Sequence, residues 1–232
     1  MTQPQVTILA AGMGTRLGRP FPKPLTLLAD GRTILAQQLE NIYEAFGADT
    51  RVQIVVGFKL DLILEAAPDV AFVYNERYDQ TNTNRSLLKA LRTSSAGPVV
   101  WMNGDVVFEP AILKRMQANI DADQTVIAVN TSAVSEEEVK YTVTADGMVA
   151  ELSKTVVNGL GEAVGINLIA AKDKAKLINW LAQCDDQDYF ERGIELAIEK
   201  DGLKVLPVDI SDLFAVEVDF EADLERANKR IV

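Results

Sequence analysis

Apolar and polar positions along this chain follow two alternating periods, and the switches between them mark out its elements. VTILA at 6–10, VQIVVG at 52–57 and VAFVY at 70–74 are apolar runs of strand length, as expected of strands buried in a sheet covered on both faces. Between the first two, TILAQQLENIYEAF at 33–46 places Ile34, Leu35, Leu39, Ile42 and Phe46 at helical spacing and stops at Gly47. A short helix is expected between the second and third runs, and NRSLLKALRTSS reads as another helix begun near Asn84. PVVWMNGDVVF at 98–108 reads as a strand ending in Gly104-Asp105, followed by a helix from Pro110 and the strand TVIAVN. Strands alternating with helices predict an α/β fold, a mostly parallel sheet with helices on both faces. Such a sheet binds its ligands at the carboxyl ends of the strands.

The period then changes. YTVTADGMVAELS at 141–153 is two alternating strands joined by Asp146-Gly147, a strong hairpin signal. GEAVGINLIAA adds a strand, helices are expected at about 172–183 and 188–200, LKVLPVD is a last strand, and a final helix starts from about Asp219. No repeat, low-complexity tract or composition break marks a linker, so residues 1–232 are expected to form a single domain.

Composition narrows the chemistry. The formal charge of −11 repels nucleic acid and anionic membrane surfaces, so a polyanionic partner has to be met by a local patch. One cysteine, Cys184, excludes an internal disulfide framework, and the first residues lack the pattern of a secretory signal; a cytoplasmic location is expected. No apolar run approaches the roughly 20 residues that cross a bilayer, so no membrane insertion is expected. Histidine is absent, which removes serine-histidine triads, cysteine-histidine pairs and histidine-ligated zinc. Chemistry falls to carboxylates, lysine, arginine and backbone.

The local patch is LAAGMGTRLGRPFPKPL at 9–25. Gly12, Gly14 and Gly18 lack a Cβ, so the loop can bring backbone N–H groups onto phosphate oxygens, and Arg16, Arg19 and Lys23 add charge. Pro20, Pro22 and Pro24 stiffen it. Two better-known glycine motifs fail. The Walker form needs lysine after its last glycine, where Arg19 follows Gly18, and the dinucleotide form needs glycine at 17, which is Leu17. Asp105 and Asp219 are isolated carboxylates at strand ends; together they could hold one Mg²⁺, which usually takes one or two carboxylates and completes its shell with water and phosphate oxygens. Asp219 is also suited to cap the helix after it, a role that can coexist with metal binding, and Asp105 to a β-turn. The D-x-D pair usual in glycosyltransferases is absent around GDVVF.

LAAGMGTRLG followed by PKPL resembles the signature of the nucleotidyltransferases that activate sugar 1-phosphates and phosphorylated alcohols. The resemblance extends to the Gly104-Asp105 turn, the Tyr141–Lys154 hairpin, the Glu162–Gly165 turn and the closing VEVDFEADLERA. NERYDQTNTNRSLLKAL, DYFERGIELAI and VEVD point within it to the bacterial choline-phosphate cytidylyltransferases. The resemblance implies a single-domain Rossmann-like nucleotidyltransferase fold in which about 1–130 binds the nucleotide and about 131–232 the acceptor. It implies that Lys23 and Arg16 neutralise the triphosphate, that the backbone of Leu9, Ala10, Ala11, Gly12, Met13, Gly14 and Thr15 follows base and ribose, and that Asp105 and Asp219 ligate Mg²⁺. It also places Lys154 on the acceptor phosphate, and Glu162 and Asn167 on acceptor hydroxyls in the sugar branches.

Asn82, Asn84 and Ser86 offer amides and a hydroxyl that can read a pyrimidine edge or cap a helix. Tyr189, Phe190 and Glu191, with Tyr141, suit a quaternary ammonium by cation–π and charge attraction, or they belong to the core. The expected reaction joins a nucleoside triphosphate, CTP first, to a phosphorylated alcohol such as phosphocholine and releases pyrophosphate. A sugar 1-phosphate with UTP, dTTP or CTP, and a non-catalytic nucleotide-binding module, are the alternatives. Oligomeric state is not legible.

Overall fold

A computed structural model of the chain describes residues 2–132 and 138–231, and of Thr15 the backbone alone. The first half lays down β1 (Gln5–Ala10), α1 (Ile34–Phe46), β2 (Val52–Val56), α2 (Leu60–Ala66), β3 (Ala71–Tyr74), α3 (Thr83–Thr93) and β4 (Val99–Asn103). Thr33 caps α1 by accepting from the Ala36 amide, and Gly47 ends it at a φ of 95°. After β5 (Val106–Phe108), α4 (Ala111–Asp121) and β6 (Thr125–Asn130) come the hairpin β7 (Lys140–Val143) and β8 (Val149–Ser153), then β9 (Gly161–Ile169). The chain closes with α5 (Lys174–Gln183), α6 (Phe190–Asp201), β10 (Val205–Asp209), β11 (Ala215–Glu217) and α7 (Glu221–Ile231).

The main sheet runs β10-β6-β9-β4-β1-β2-β3, with β7 paired to β9 and β8 to β7. β1, β2, β3 and β4 are parallel, as are β6 and β10; β9 is antiparallel to both β4 and β6. Strand alternation sends Val6, Ile8 and Ala10 to one face, against α1, α2 and α4, and Leu9 and Ala11 to the other, against α3, α5 and α6. The result is an α/β fold with helices on both faces of a mixed, mostly parallel sheet. No helix among the described residues is long and apolar enough to cross a membrane.

Three expectations need correction. β3 is half-exposed rather than buried, because it is the sheet edge. The run at 98–108 is two strands: at Gly104-Asp105 the chain leaves the sheet, and β5 pairs instead with β11. The last helix begins at Glu221, not Asp219; the Asp223 carboxylate accepts from the Asp219 and Phe220 amides, so the Asp219 side chain is released from capping.

The departure of β5 explains an oddity of α1. Its buried face carries Gln37, Gln38 and Asn41, polar residues where a helix normally packs leucine. Carbonyls along the bend lack a sheet partner on that side, and a buried carbonyl must be paired. Gln38 donates to Asn103 O and Val106 O at 2.9 and 2.8 Å, and Gln37 and Asn41 both donate to Phe108 O at 2.6 Å. These amides fix where the strand turns away.

Candidate active site

The parallel strands β1 and β4 end side by side, with Leu9 opposite Asn103. β9 runs the other way, so its early residues meet that same edge, and Gly165, at a φ of 69°, lies where a Cβ would come within 2.8 Å of Asn103 Nδ2. The ribbon of β5 and β11 pairs Val106 with Glu217, and the Val218 amide donates to Asp105 O at 2.9 Å. Asp105 and Asp219, far apart in sequence, are thereby brought to one place.

One side chain joins them. Lys23 Nζ donates to Asp105 Oδ2 at 2.7 Å and to Asp219 Oδ1 at 2.6 Å, while Arg16 Nη1 donates to Asp219 Oδ2 at 2.7 Å. Lys23 rides on a short 3₁₀ turn over Lys23–Leu25 whose first residues are held by Pro22 and Pro24, so the loop's stiffening fixes the ammonium. Burial opposes the charge on Lys23, but the attraction of Asp105 and hydrogen bonds to both aspartates outweigh it and hold the pKa above the usual lysine value. Burial likewise pushes Asp219 up, and Lys23 and Arg16 pull it below the usual carboxylate range. Arg19 pairs with Glu221 at 3.0 Å. All three cations of the glycine-rich loop therefore lean on the C-terminal segment.

The residues fit a divalent metal. Both aspartates offer hard oxygens, one ammonium already bridges them, and Asp105 Oδ1 is buried with no hydrogen-bond partner among the described residues. No group of three or more His, Cys, Asp or Glu among those residues forms a ready-made cage. Magnesium does not need one when substrate phosphates complete its shell.

A cleft of about 220 Å³ opens over this cluster. Leu9, Ala10, Gly12, Gly14, Arg16 and Lys23 line one side, and Asp105 and Asp219 its floor. Lys154, Tyr189 and Glu191 line the other side, with Lys154 Nζ 5.2 Å from the centre of the Tyr189 ring. A second cavity of about 610 Å³ shares Lys154, Tyr189 and Glu191 and extends past Glu151, Asp188 and Glu195. Glu191 is buried, its Oε2 lacks a hydrogen-bond partner among the described residues, and desolvation pushes its pKa up to about 7 although Lys154 draws it down.

Other candidate residues lie elsewhere. Ala11 is buried, its carbonyl accepting from the Phe58 amide, and Met13 is exposed; neither lines the cleft. The Thr15 side chain lies outside the described residues. Asn82 caps α3, Asn84 donates to Asp185 O and Ser86 accepts from Asn75, so all three are engaged in structural bonds and only Thr83 of that turn lines the cleft. Tyr141 packs in the core, whereas Phe190 lines the cleft while its buried ring stands edge-on to Trp101 at 5.7 Å. Asn167 is buried in β9 opposite Trp101, and Glu162 sits on β9 facing Lys140 and Asn130, both outside the cleft lining.

Sequence reasoning did not find Glu217, Asn103 or Glu138, which line the same cleft. Asn103 Nδ2 donates to Glu217 Oε1 at 3.0 Å, and burial with repulsion from Asp105, Glu138 and Asp219 drives Glu217 well above the usual carboxylate range. The available signal was VEVD itself, in which Glu217 and Asp219 share a strand face by alternation.

A family model described as the MobA-like NTP transferase domain matches residues 6–183. CMP-5'-(3-aminopropyl)phosphonate synthase of Streptomyces rubellomurinus is 29% identical over 97% of this chain and 38% of its own length. The bifunctional protein GlmU of Pseudomonas aeruginosa is 32% identical over 52% of this chain and 26% of its own. The chain thus spans well under half the length of these curated relatives. Among solved structures, CTP:phosphocholine cytidylyltransferase of Streptococcus pneumoniae superposes with a TM-score of 0.76 at 17% identity, covering 100% of both chains. The inositol-1-phosphate CTP transferase of T. maritima gives 0.79 at 15%, covering 99% of this chain and 96% of that one. At such identities the structural likeness establishes the fold.

Proposed function

Because the chain belongs to the family of MobA-like NTP transferase domains, we propose that it is a magnesium-dependent nucleotidyltransferase that joins CTP to a small phosphorylated amino alcohol, of which phosphocholine is one, and releases pyrophosphate. The observation that carries this is the Lys23 ammonium held between Asp105 and Asp219 beneath a glycine-rich loop. A bound nucleotide and a divalent ion replace one set of charges there with another. This close grouping of one cation and two acids argues against a non-catalytic binding module.

In the reaction an oxygen of the acceptor phosphate attacks the α-phosphorus, the bond from that phosphorus to the bridging oxygen breaks, and the electron pair leaves with pyrophosphate. The nucleophile is already an anion at neutral pH, so a chain without histidine lacks nothing that the step requires. Such transfers depend on positioning and charge neutralisation. Magnesium, held by Asp105 and Asp219, supplies positive charge to the phosphate oxygens when bound. Gly12 and Gly14 let the loop backbone approach the nucleotide, Arg16 and Lys23 offset the charge of the departing pyrophosphate, and Lys154 holds the acceptor phosphate. In this division residues of about 1–130 serve the nucleotide and those of about 131–232 the acceptor, and the enzyme works in the cytoplasm.

The amine on the acceptor is supported by the chemistry beyond Lys154. Glu191 has an oxygen without a partner among the described residues, Tyr189 offers an aromatic face, and Glu151, Asp188 and Glu195 make the adjoining cavity acidic. CMP-aminopropylphosphonate, the product named for the Streptomyces relative, pairs the same base with an amine-bearing acceptor. Glu162 and Asn167, the residues suited to sugar hydroxyls, lie outside the cleft lining, which weakens the sugar reading.

The test is pyrophosphate release with CTP, UTP or dTTP against phosphocholine, an aminoalkyl phosphonate and sugar 1-phosphates. The expected result is turnover with CTP and the amine-bearing acceptors, and none in folded Asp105→Ala. Turnover of sugar 1-phosphates alone overturns the acceptor, and an active Asp105→Ala overturns the metal site.

A further inference from the structure

Tyr189 and Glu191 stand at the start of α6, where the Arg192 amide donates to Tyr189 O at 3.2 Å but the Phe190 amide is bonded from outside the helix. Its N-cap position is Tyr189, whose side chain makes no capping hydrogen bond. The first amides of a helix have no partner within it and must find one elsewhere. Here the Phe190 amide donates to Thr83 Oγ1 at 3.1 Å, a hydroxyl that comes from the first residue of a different helix, α3.

The rest of that turn supports the same junction. Asn84, fully buried, donates from Nδ2 to Asp185 O at 2.6 Å, and Asn82 N donates to Asp186 O at 2.8 Å. Arg85 reaches across to Cys184 O at 2.6 Å and pairs through Nε with Asp186 Oδ1 at 2.8 Å. The segment running into Tyr189 is thus bound along its length to the start of α3. Thr83 and Phe190, the two ends of the bond between α3 and α6, both line the cleft.

We propose that Thr83 is a positioning residue for the acceptor: its hydroxyl sets the first turn of α6, and so sets Tyr189 and Glu191 beside Lys154. This rests on the acceptor reading given above. The two sides of the cleft are in this way built against each other, with the nucleotide side carrying the group that orders the acceptor side.

Thr83→Val keeps the shape and removes the acceptor atom, whereas Thr83→Ser retains it. One neutral hydrogen bond is worth roughly a five- to tenfold change in binding. The expected outcome for Thr83→Val is an acceptor KM raised about that much, a CTP KM within twofold of the parent, and faster hydrogen exchange at the amides of residues 190–192. Thr83→Ser restores all three.

An unchanged acceptor KM overturns the proposal even if exchange quickens, because Thr83 then serves structure alone. A CTP KM that rises in step with the acceptor KM also overturns it. If the parent turns over no amine-bearing acceptor, the functional reading fails, and the exchange comparison still decides whether Thr83 holds α6.

Discussion

Among single residues, Lys23 and Glu191 show how the site assigns charge. Lys23 is kept cationic by two acids whose attraction and hydrogen bonds outweigh its burial and hold its pKa above the usual lysine value. Glu191 is the opposite case. Burial raises its pKa to about 7, Lys154 works against that rise, and Glu195 adds to it. A cationic acceptor interacts with the carboxylate and not with the neutral acid, so acceptor affinity should increase as pH rises through 7. Steady-state KM for the amine-bearing acceptor is expected to fall severalfold between pH 6 and 8, and the profile should flatten in Glu191→Gln. Stability moves the other way. With the folded pKa above the unfolded one, the folded chain binds more protons between the ordinary carboxylate value and 7, and stability falls as pH rises through that window. Urea midpoints of the parent should therefore drop from pH 5 to 7 relative to Glu191→Gln; parallel curves would remove Glu191 as the titrating group.

The decisive element is the turn between β4 and β5. A Cβ on Gly104 would sit 2.9 Å from Leu9 O and 3.0 Å from Pro24 Cγ, tighter than van der Waals contact allows. The turn thus packs directly on the end of β1 and on the loop that carries Lys23. Gly104→Ala should push that loop outward, lowering kcat by about 10–100-fold with a stability loss of about 1–3 kcal/mol, read by pyrophosphate release and chemical denaturation. Normal turnover in a folded variant would show that the loop yields freely. This turn also shows what the sequence could reveal. Gly104-Asp105 was legible as the end of an apolar run, as the hairpin was from Asp146-Gly147 and α1 from its spacing, because local chemistry specifies each. That β5 leaves the sheet was not legible, since VVF reads the same in either ladder. Gln37, Gln38 and Asn41 held the clue: polar residues on the inner face of an apolar helix require buried carbonyls to bind. Asn82 and Asn84 read as either reader or cap, and nothing in the sequence marks the partners at 185–187 to which both donate.

Across the whole molecule the site joins segments that only the fold brings together: the loop after β1, the turn after β4, the start of α6 and the strand before α7. Ligands that bridge them stabilise every element at once, by RT ln(1 + [L]/Kd), or about 2.7 kcal/mol at a hundred times Kd. For a chain of 232 residues this corresponds to a rise in melting temperature of roughly 5–10 °C. The charges already in place decide which ligands do this. Asp105 and Asp219 are matched by Lys23 and Arg16, so magnesium alone meets carboxylates that are already neutralised and should change Tm little. The nucleotide brings its own negative charge, draws Lys23 and Arg16 toward its phosphates and frees the carboxylates, so the metal should bind strongly only in its company. Thermal unfolding is therefore expected to show a small shift with CTP, almost none with Mg²⁺, and a shift with both that exceeds their sum. In Asp105→Ala the CTP shift should persist and the extra gain should vanish. A shift with Mg²⁺ alone as large as that of the pair would mean that Lys23 does not guard the metal position, and that nucleotide and metal bind independently.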